Sequence, residues 1–475
     1  MASTATHNPS TATHNRFHGL LAATAIGVYL LLLVGATTAL TDAAASCAAW
    51  PACGNGWTTP DSAVGWLALG HRIGAVAVGL LGVATIVAGI RANVSRRVLG
   101  SMLLAGVLYP VQAGLGALVA LGGANATLSA VHLTVGTGIF VSLVAALAWT
   151  LEAETGDPNE EPVDSVDLSP PVETTYEPTV PTDRRERLVA TAKAYLRLTK
   201  PRLMWLLCLV AAAGMALAAT TTGGLTVPVV LATLGGGVLS IGASGTFNHV
   251  FERDIDRRMQ RTSDRPLATD LVPVRNALAF GLLLAAGSVA LFAWVNVLAA
   301  VLGVAAILFY SVVYTLLLKP NTVQNTVIGG AAGALPALIG WAAVAGDIGF
   351  GGLALAAVIF LWTPAHFYNL ALAYKDDYER GGFPMISVVR GETETRKHVL
   401  WYLAATLVAA GALASMNALG LLYALTSVVF GGLFLYFAVR LHYEQDESAA
   451  FRSFHASNAY LGALLLAVVV DALVV

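Results

Sequence analysis

Apolar runs of about twenty residues, separated by short polar breaks, extend along nearly the whole chain. They fall near residues 17–41, 65–90, 98–121 and 128–150. After a longer polar stretch they resume near 203–222, 227–248, 276–294, 297–318, 326–345, 352–373, 398–417, 420–439 and 455–475. Each run can cross a hydrocarbon core of about 30 Å at about 1.5 Å of rise per residue. Inside lipid a backbone must satisfy its own hydrogen bonds, which a helix does within one segment. The pattern therefore predicts an all-α, polytopic membrane protein of about 13 transmembrane helices, four before the polar stretch and nine after it.

Composition agrees. Of 475 residues, 57% are hydrophobic and 11% charged, against about 25% charged in soluble proteins. So little charge excludes a soluble globular enzyme, a disordered chain and a nucleic-acid binder. The net charge of −2 selects no partner by bulk electrostatics. What charge there is has been sorted. With the N-terminus in the cytoplasm, every Lys and Arg except Arg72 falls on the cytoplasmic side, while loops 42–63, 122–127, 223–226 and 346–351 hold none. That is the positive-inside bias, and it predicts a multi-pass cell-membrane protein with a cytoplasmic N-terminus. The first apolar run, at about 24 residues, exceeds the core of a cleaved signal.

The polar stretch has its own composition. Residues 151–186 carry many of the chain's 28 acidic residues, together with Pro158, Pro162, Pro170, Pro171, Pro178 and Pro181. Such a segment buries too little apolar surface to fold and reads as a solvated cytoplasmic linker. The expected division is a four-helix unit over residues 1–150, a linker over 151–194 and a nine-helix unit over 195–475.

In the nine-helix unit, one helix runs into NHVFERDIDRRMQRTSDRPL, beginning at Asn248. Asn248, Glu252 and Asp256 are four apart and share one face of a continuing helix. An amide and two carboxylates are hard oxygen donors suited to Mg²⁺. Arg253, Arg257, Arg258, Arg261 and Arg265 surround them, as a phosphate-rich anion would require. A surface loop whose acids merely pair with its arginines is the plainer alternative. A second patch, YKDDYERGGFPMISVVRG, carries Lys375, Asp376, Asp377, Glu379 and Arg380 on the same membrane side. Two facing acidic clusters can hold two Mg²⁺ around one diphosphate and make it a leaving group. The implied chemistry is ionisation of a prenyl diphosphate and transfer of the allylic cation to a membrane-soluble acceptor.

These strings resemble the intramembrane prenyltransferase superfamily (UbiA type). Within it, YLRLTKPR (Tyr195–Arg202), DIDRRMQRTSDRPL (Asp254–Leu267), the segment Tyr314–Trp341, WTPAHFYNLAL (Trp362–Leu372) and KDDYERGGFPM (Lys375–Met385) are similar to the protohaem IX farnesyltransferase family. The resemblance implies a nine-helix bundle, Mg²⁺, farnesyl diphosphate as donor and haem B as acceptor, a vinyl group becoming a hydroxyethylfarnesyl group. It places Asn248, Glu252, Asp256, Asp376 and Asp377 at the metal and diphosphate. Arg261, Arg265, Lys319 and Lys375 are candidates to hold the diphosphate. His366, beside Pro364 in an apolar helix, is expected to contact haem or act as acid or base; a histidine hydrogen-bonded to a neighbouring helix is the alternative. Gln324 and Asn325 are weaker candidates. His249, His398, His442 and His455 are expected to be ordinary residues near the cytoplasmic surface.

In the first unit, His71 and His132 lie near the outer ends of their helices, where two imidazoles at one depth can ligate haem. Arg72 would then pair with a propionate. A polar helix start and a satisfied core histidine explain these residues equally well. Cys47 and Cys53 sit six apart in an outer loop, where thiols tend to oxidise to a disulfide; Cys208, within a helix, reads as packing. Residues 16–150 resemble one half of the haem A synthase family, through Gly35–Cys53, His71–Arg72 and Val131–Leu133. That resemblance implies a haem held by His71 and His132, a Cys47–Cys53 disulfide, and a separate haem A synthase or terminal-oxidase assembly as partner. The family's usual carboxylate and Arg are replaced by Ala68 and Ala39, so haem binding rather than oxidation is expected of this unit. Two other readings stand beside the leading one: a prenyltransferase acting on a quinone precursor or lipid, and a haem-binding membrane electron-transfer protein.

Overall fold

The computed structural model describes residues 9–41, 43, 45–47, 49–53, 59–122, 126–160, 183–416 and 419–474. Among them, 13 helices are long and apolar enough to cross a membrane, as the pattern predicts. Half of the acidic linker, residues 161–182 with Pro162, Pro170, Pro171, Pro178 and Pro181, lies outside the described residues.

The chain divides into two compact units, Met1–Asp157 with Leu403–Tyr443 and Pro158–Tyr402 with Glu444–Val475. Residues 403–443 are thus grouped with the amino-terminal helices.

The first unit contains α1 (Pro9–Leu40), α2 (Ala63–Arg91), α3 (Arg96–Gly122) and α4 (Ala126–Thr155). Packing explains why 403–443 joins them. The Tyr29 and Ser427 hydroxyls share a buried hydrogen bond of 2.7 Å, and Leu33 and Ile26 lie against Gly411 and Gly432. A buried hydroxyl pair, Thr24 and Thr85 at 2.7 Å, ties α1 to α2. In lipid such polar contacts and close packing hold helices together, since apolar burial offers little advantage over lipid tails. His442, expected near the surface, is buried in this unit.

The second unit runs α5 (Arg184–Leu198), α6 (Pro201–Thr222), α7 (Val227–Phe251), α8 (Arg253–Asp256), α9 (Val274–Val295), α10 (Val297–Leu308), α11 (Asn325–Ala345), α12 (Phe350–Ala373), α13 (Lys375–Arg380) and α14 (Ile386–Val389). The amino-terminal part of α15 (Gly391–Met416), the last residue of α16 (Leu421–Glu444) and α17 (Glu447–Val474) complete it. Small residues decide its tightest crossing. A Cβ on Gly340 would come within 2.0 Å of the Ala211 carbonyl oxygen, and one on Gly214 within 2.4 Å of the Ala337 oxygen. Backbone therefore meets backbone between α6 and α11, a contact open only to glycine. After α10, Phe309–Leu318 winds more widely, with i→i+5 hydrogen bonding. The Lys319 N–H donating to the Tyr314 carbonyl at 2.9 Å marks its end.

Candidate functional site

The C-terminal end of α7 carries the first acidic motif. Regular helix stops at Phe251, yet the Asp256 N–H still donates to the Glu252 carbonyl at 2.7 Å. Helical sense is thus kept through Glu252 into α8, and Asn248, Glu252 and Asp256 stay on one face, all buried. Burying two carboxylates requires cations. Lys319 donates to Glu252 at 2.6 Å. One nitrogen of Arg265 lies 2.8 Å from both Asp256 oxygens and 3.8 Å from Glu252. Lys200 donates to Asn248 Oδ1 and to the Tyr310 hydroxyl at 3.2 Å, while Asn248 Nδ2 donates to Thr315 at 3.2 Å.

Lys200 was not singled out by sequence. It sits just before Pro201 with φ 53°, in the left-handed region, a strain of about 1–2 kcal/mol for a side chain with a Cβ. That turn is how the start of α6 delivers an ammonium to the end of α7. The only sequence signal was a cation just before the proline that opens an apolar helix, in the string TKPR.

The charges differ in how firmly they are held. Burial pushes the Lys200 ammonium down to about 7, with Arg265 adding repulsion. Burial works to raise Glu252, but Lys319 and Lys200 together hold it below the usual carboxylate range. Asp256 moves the other way, because burial outweighs its Arg265 pairing.

The second motif separates into two roles. Asp377 is buried, and its oxygens accept the N–H groups of Gln260 and Arg261, each at 3.0 Å, and pair with Arg380. These donors outweigh burial and keep its carboxyl below the ordinary range. Asp377 therefore pins the basic loop, while neighbouring Asp376 is exposed. Arg261 also lies over the rings of Tyr374 and Tyr378, 5.0 and 5.9 Å from their centroids. Lys375, expected at the diphosphate, instead pairs with Glu392 at 3.1 Å.

Behind the charged cluster lies an apolar pocket among α6, α7, α9, α10 and α11. Lys200, Gly245 and Tyr310 border it on the charged side, and Leu207, Ile241, Ala306, Pro336, Ile339 and Phe292 line it further in. Cys208 lies in this wall. A charged head site and a long apolar pocket thus share Lys200 and Tyr310.

His366 is absent from that lining. It is stacked between Trp362 (4.2 Å, 15°) and Phe454 (4.4 Å, 27°). Its Nδ1 lies 2.7 Å from Ser457 Oγ, and that hydroxyl donates to the Phe454 carbonyl. Ser457 is thereby set to accept from Nδ1. Asn325 is buried, its amide donating to the Thr322 carbonyl at 2.7 Å, an α11 start rather than a ligand. His249, expected near the surface, is buried beside Asn248.

In the first unit, Cys47 and Cys53 form a disulfide. Arg72 donates to the carbonyls of Cys47, Ala49 and Ala52 at 2.8, 2.6 and 2.7 Å. Its guanidinium thus ties down the disulfide loop, where sequence expected a propionate partner. The His71 ring lies against Gly35 and the His132 ring against Gly116. Each leaves a buried Nδ1 without a partner among the described residues; His132 Nε2 contacts the Gln112 amide at 3.1 Å.

Residues 207–462 match the model of the UbiA prenyltransferase family. A protohaem IX farnesyltransferase of Haloquadratum walsbyi is 70% identical over 466 residues, 97% of each chain. One from Haloarcula marismortui is 64% identical over 459 residues, covering 96% of this chain and 98% of that protein. One from a Mycobacterium species is 44% identical over 292 residues, covering 60% of this chain and 92% of that protein. A solved digeranylgeranylglyceryl phosphate synthase structure agrees in fold at a TM-score of 0.50 and 17% identity, covering 60% of this chain and 100% of that one.

Proposed function

The chain belongs to the UbiA prenyltransferase family, and from that membership we propose that it transfers a farnesyl group from farnesyl diphosphate to a vinyl group of haem B. It is a multi-pass membrane prenyltransferase. The observation that carries the substrate reading is the joining of a charged head site to an apolar cavity at Lys200 and Tyr310. That is the shape of an amphiphile with a diphosphate head and an isoprenoid tail. Near-complete coverage by relatives named protohaem IX farnesyltransferase supports haem B as acceptor.

Among the described residues no three His, Cys, Asp or Glu converge as a self-contained metal cage. This fits Mg²⁺, which takes one or two carboxylates and completes its shell with water and substrate phosphate. The hard donors converge: Glu252 and Asp256 share Arg265, and Asn248 shares Lys200 with the same cluster. Asn248, Glu252, Asp256 and Asp376 would hold the ion, which when bound neutralises the leaving diphosphate. Arg265, Lys319 and Lys200 hold the phosphate oxygens, and Asp377 acts through the loop it fixes. The C1–O bond of the donor breaks, diphosphate departs, and the vinyl carbon bonds C1. Water then adds to the resulting cation and loses a proton, giving the hydroxyethylfarnesyl group.

His366 is a candidate for haem contact, because its ring is held on both faces and its Nδ1 is tied to Ser457. For the first unit we propose haem binding by His71 and His132. The support is two buried imidazole nitrogens without partners among the described residues, each ring lying on a glycine. A cytoplasmic N-terminus and cytoplasmic acidic motifs complete the reading, from the sorting of basic residues. The test is purified protein in lipid with haem B, farnesyl diphosphate and Mg²⁺, read by mass spectrometry. Folded protein that forms no farnesylated haem would sink the proposal.

A further inference from the structure

The cations around the charged site are held in two ways. Several spend their charge on carboxylates: Arg265 on Asp256 at 2.8 Å, Lys319 on Glu252 at 2.6 Å, Lys375 on Glu392 at 3.1 Å and Arg257 on Asp270 at 2.8 Å. Arg261 is different. It is exposed, and its guanidinium meets no carboxylate among the described residues. A pair of rings holds it instead, its Cζ lying 5.0 Å from the Tyr374 centroid and 5.9 Å from that of Tyr378. Its backbone N–H donates to Asp377, between those two tyrosines, at 3.0 Å. One short segment therefore grips both ends of this residue. The rings are braced edge-on in turn, Tyr374 against Phe451 of α17 (5.5 Å, 79°) and Tyr378 against Phe383 (6.4 Å, 69°). Tyr378 is buried with Met259, Phe383 and Met385, and Tyr374 packs half-buried beside them.

The two kinds of partner leave a cation in different states. A carboxylate neutralises a guanidinium and occupies its N–H fork. An aromatic face attracts the same cation through its quadrupole and leaves all five N–H donors unused. Braced rings thus fix where the charge stands without consuming it. Free donors in a planar fork suit an oxyanion. We infer that Tyr374 and Tyr378 are positioning residues that hold the Arg261 guanidinium ready for an anionic oxygen group of a substrate. The inference rests on the transferase reading above, which offers two such groups, the diphosphate of the donor and the carboxylates of the acceptor.

The experiment is steady-state kinetics on the full-length protein in lipid, with a double-mutant cycle between Arg261 and the rings. Arg261→Ala should raise KM for one substrate by about tenfold or more, as for lost hydrogen bonds to a charged group. Tyr374→Leu and Tyr378→Leu should each raise the same KM by about two- to fivefold, the worth of an exposed cation over a ring, with kcat little changed. Tyr374→Phe and Tyr378→Phe keep the ring face and should behave as wild type. In an Arg261→Ala background Tyr374→Leu should add nothing, a coupling that a purely structural role would not produce. A rise in KM for farnesyl diphosphate assigns the group as the diphosphate. A rise in KM for haem B that is lost when its carboxylates are methylated assigns it as the carboxylates. Equal effects of Tyr374→Leu with and without Arg261, Phe variants as impaired as the Leu variants, or unchanged KM for both substrates overturn the inference. If Tyr378→Leu does not fold, Tyr374→Leu decides. Absence of any farnesyl transfer by wild type refutes the functional reading instead.

Discussion

Asp376 and Asp377 are adjacent and chemically identical, yet their surroundings assign them different work, and substitution should separate them. Asp377→Ala removes the acceptor for the N–H groups of Gln260 and Arg261 and the partner of Arg380. A hydrogen bond to an ionised acceptor is worth about 1.5–3 kcal/mol, and a half-exposed i,i+3 ion pair about 0.3–0.5 kcal/mol. Water entering the emptied space recovers part of this, leaving a local loss of about 2–4 kcal/mol. The loss falls on the loop after α8, so it should appear as roughly 30- to 900-fold faster opening there. Hydrogen–deuterium exchange in lipid nanodiscs reads it directly in peptides spanning 256–266, with KM for farnesyl diphosphate rising in parallel. Asp376→Ala should leave that exchange unchanged and lower kcat by about a hundredfold or more, as for loss of a group acting on developing charge. Wild-type exchange at Gln260 and Arg261 in Asp377→Ala would refute the division of labour.

Asp256→Ala should abolish farnesylated haem while the absorbance of bound, reduced haem persists; unchanged turnover would remove Asp256 from the metal site. His71→Ala should lower the haem that co-purifies with the protein, measured by pyridine haemochrome, with at most a partial loss of transferase activity. Gly340→Leu should prevent folding of the second unit, because even a Cβ there overlaps the Ala211 carbonyl and overpacking costs about 1–3 kcal/mol or more; a wild-type melting curve in detergent would contradict the close crossing.

Much of the membrane architecture was legible because lipid imposes one rule on every span: about twenty apolar residues, helical, with charge left at the ends. The first acidic motif was legible for a similar reason, since a period of four on a continuing helix fixes a shared face. What sequence could not show was which charges spend themselves on each other. Arg72 meets backbone carbonyls, Lys375 meets Glu392 and Asp377 meets two N–H groups, partners that depend on tertiary placement. Lys200 escaped notice because its role comes from a left-handed backbone turn, which residue type does not announce. Helices of similar apolarity carry no mark of which neighbours they choose, and for 403–443 a few small or hydroxylated positions such as Gly411, Ser427 and Gly432 make the contacts with α1.

The wide-wound stretch Phe309–Leu318 acts as a phase adjuster for the residue that follows it. In an ordinary helix each residue turns the chain by about 100°, so one residue more or less re-aims everything beyond. The i→i+5 pattern takes up residues at a lower angle per step, and Lys319 leaves it pointing at Glu252. Deleting one residue within 309–318 would let regular winding return and swing Lys319 away from the carboxylate, though no side chain in contact with substrate had changed. The aim of this ammonium is therefore encoded in a count of residues as much as in their identity, and point substitutions alone would never reveal it.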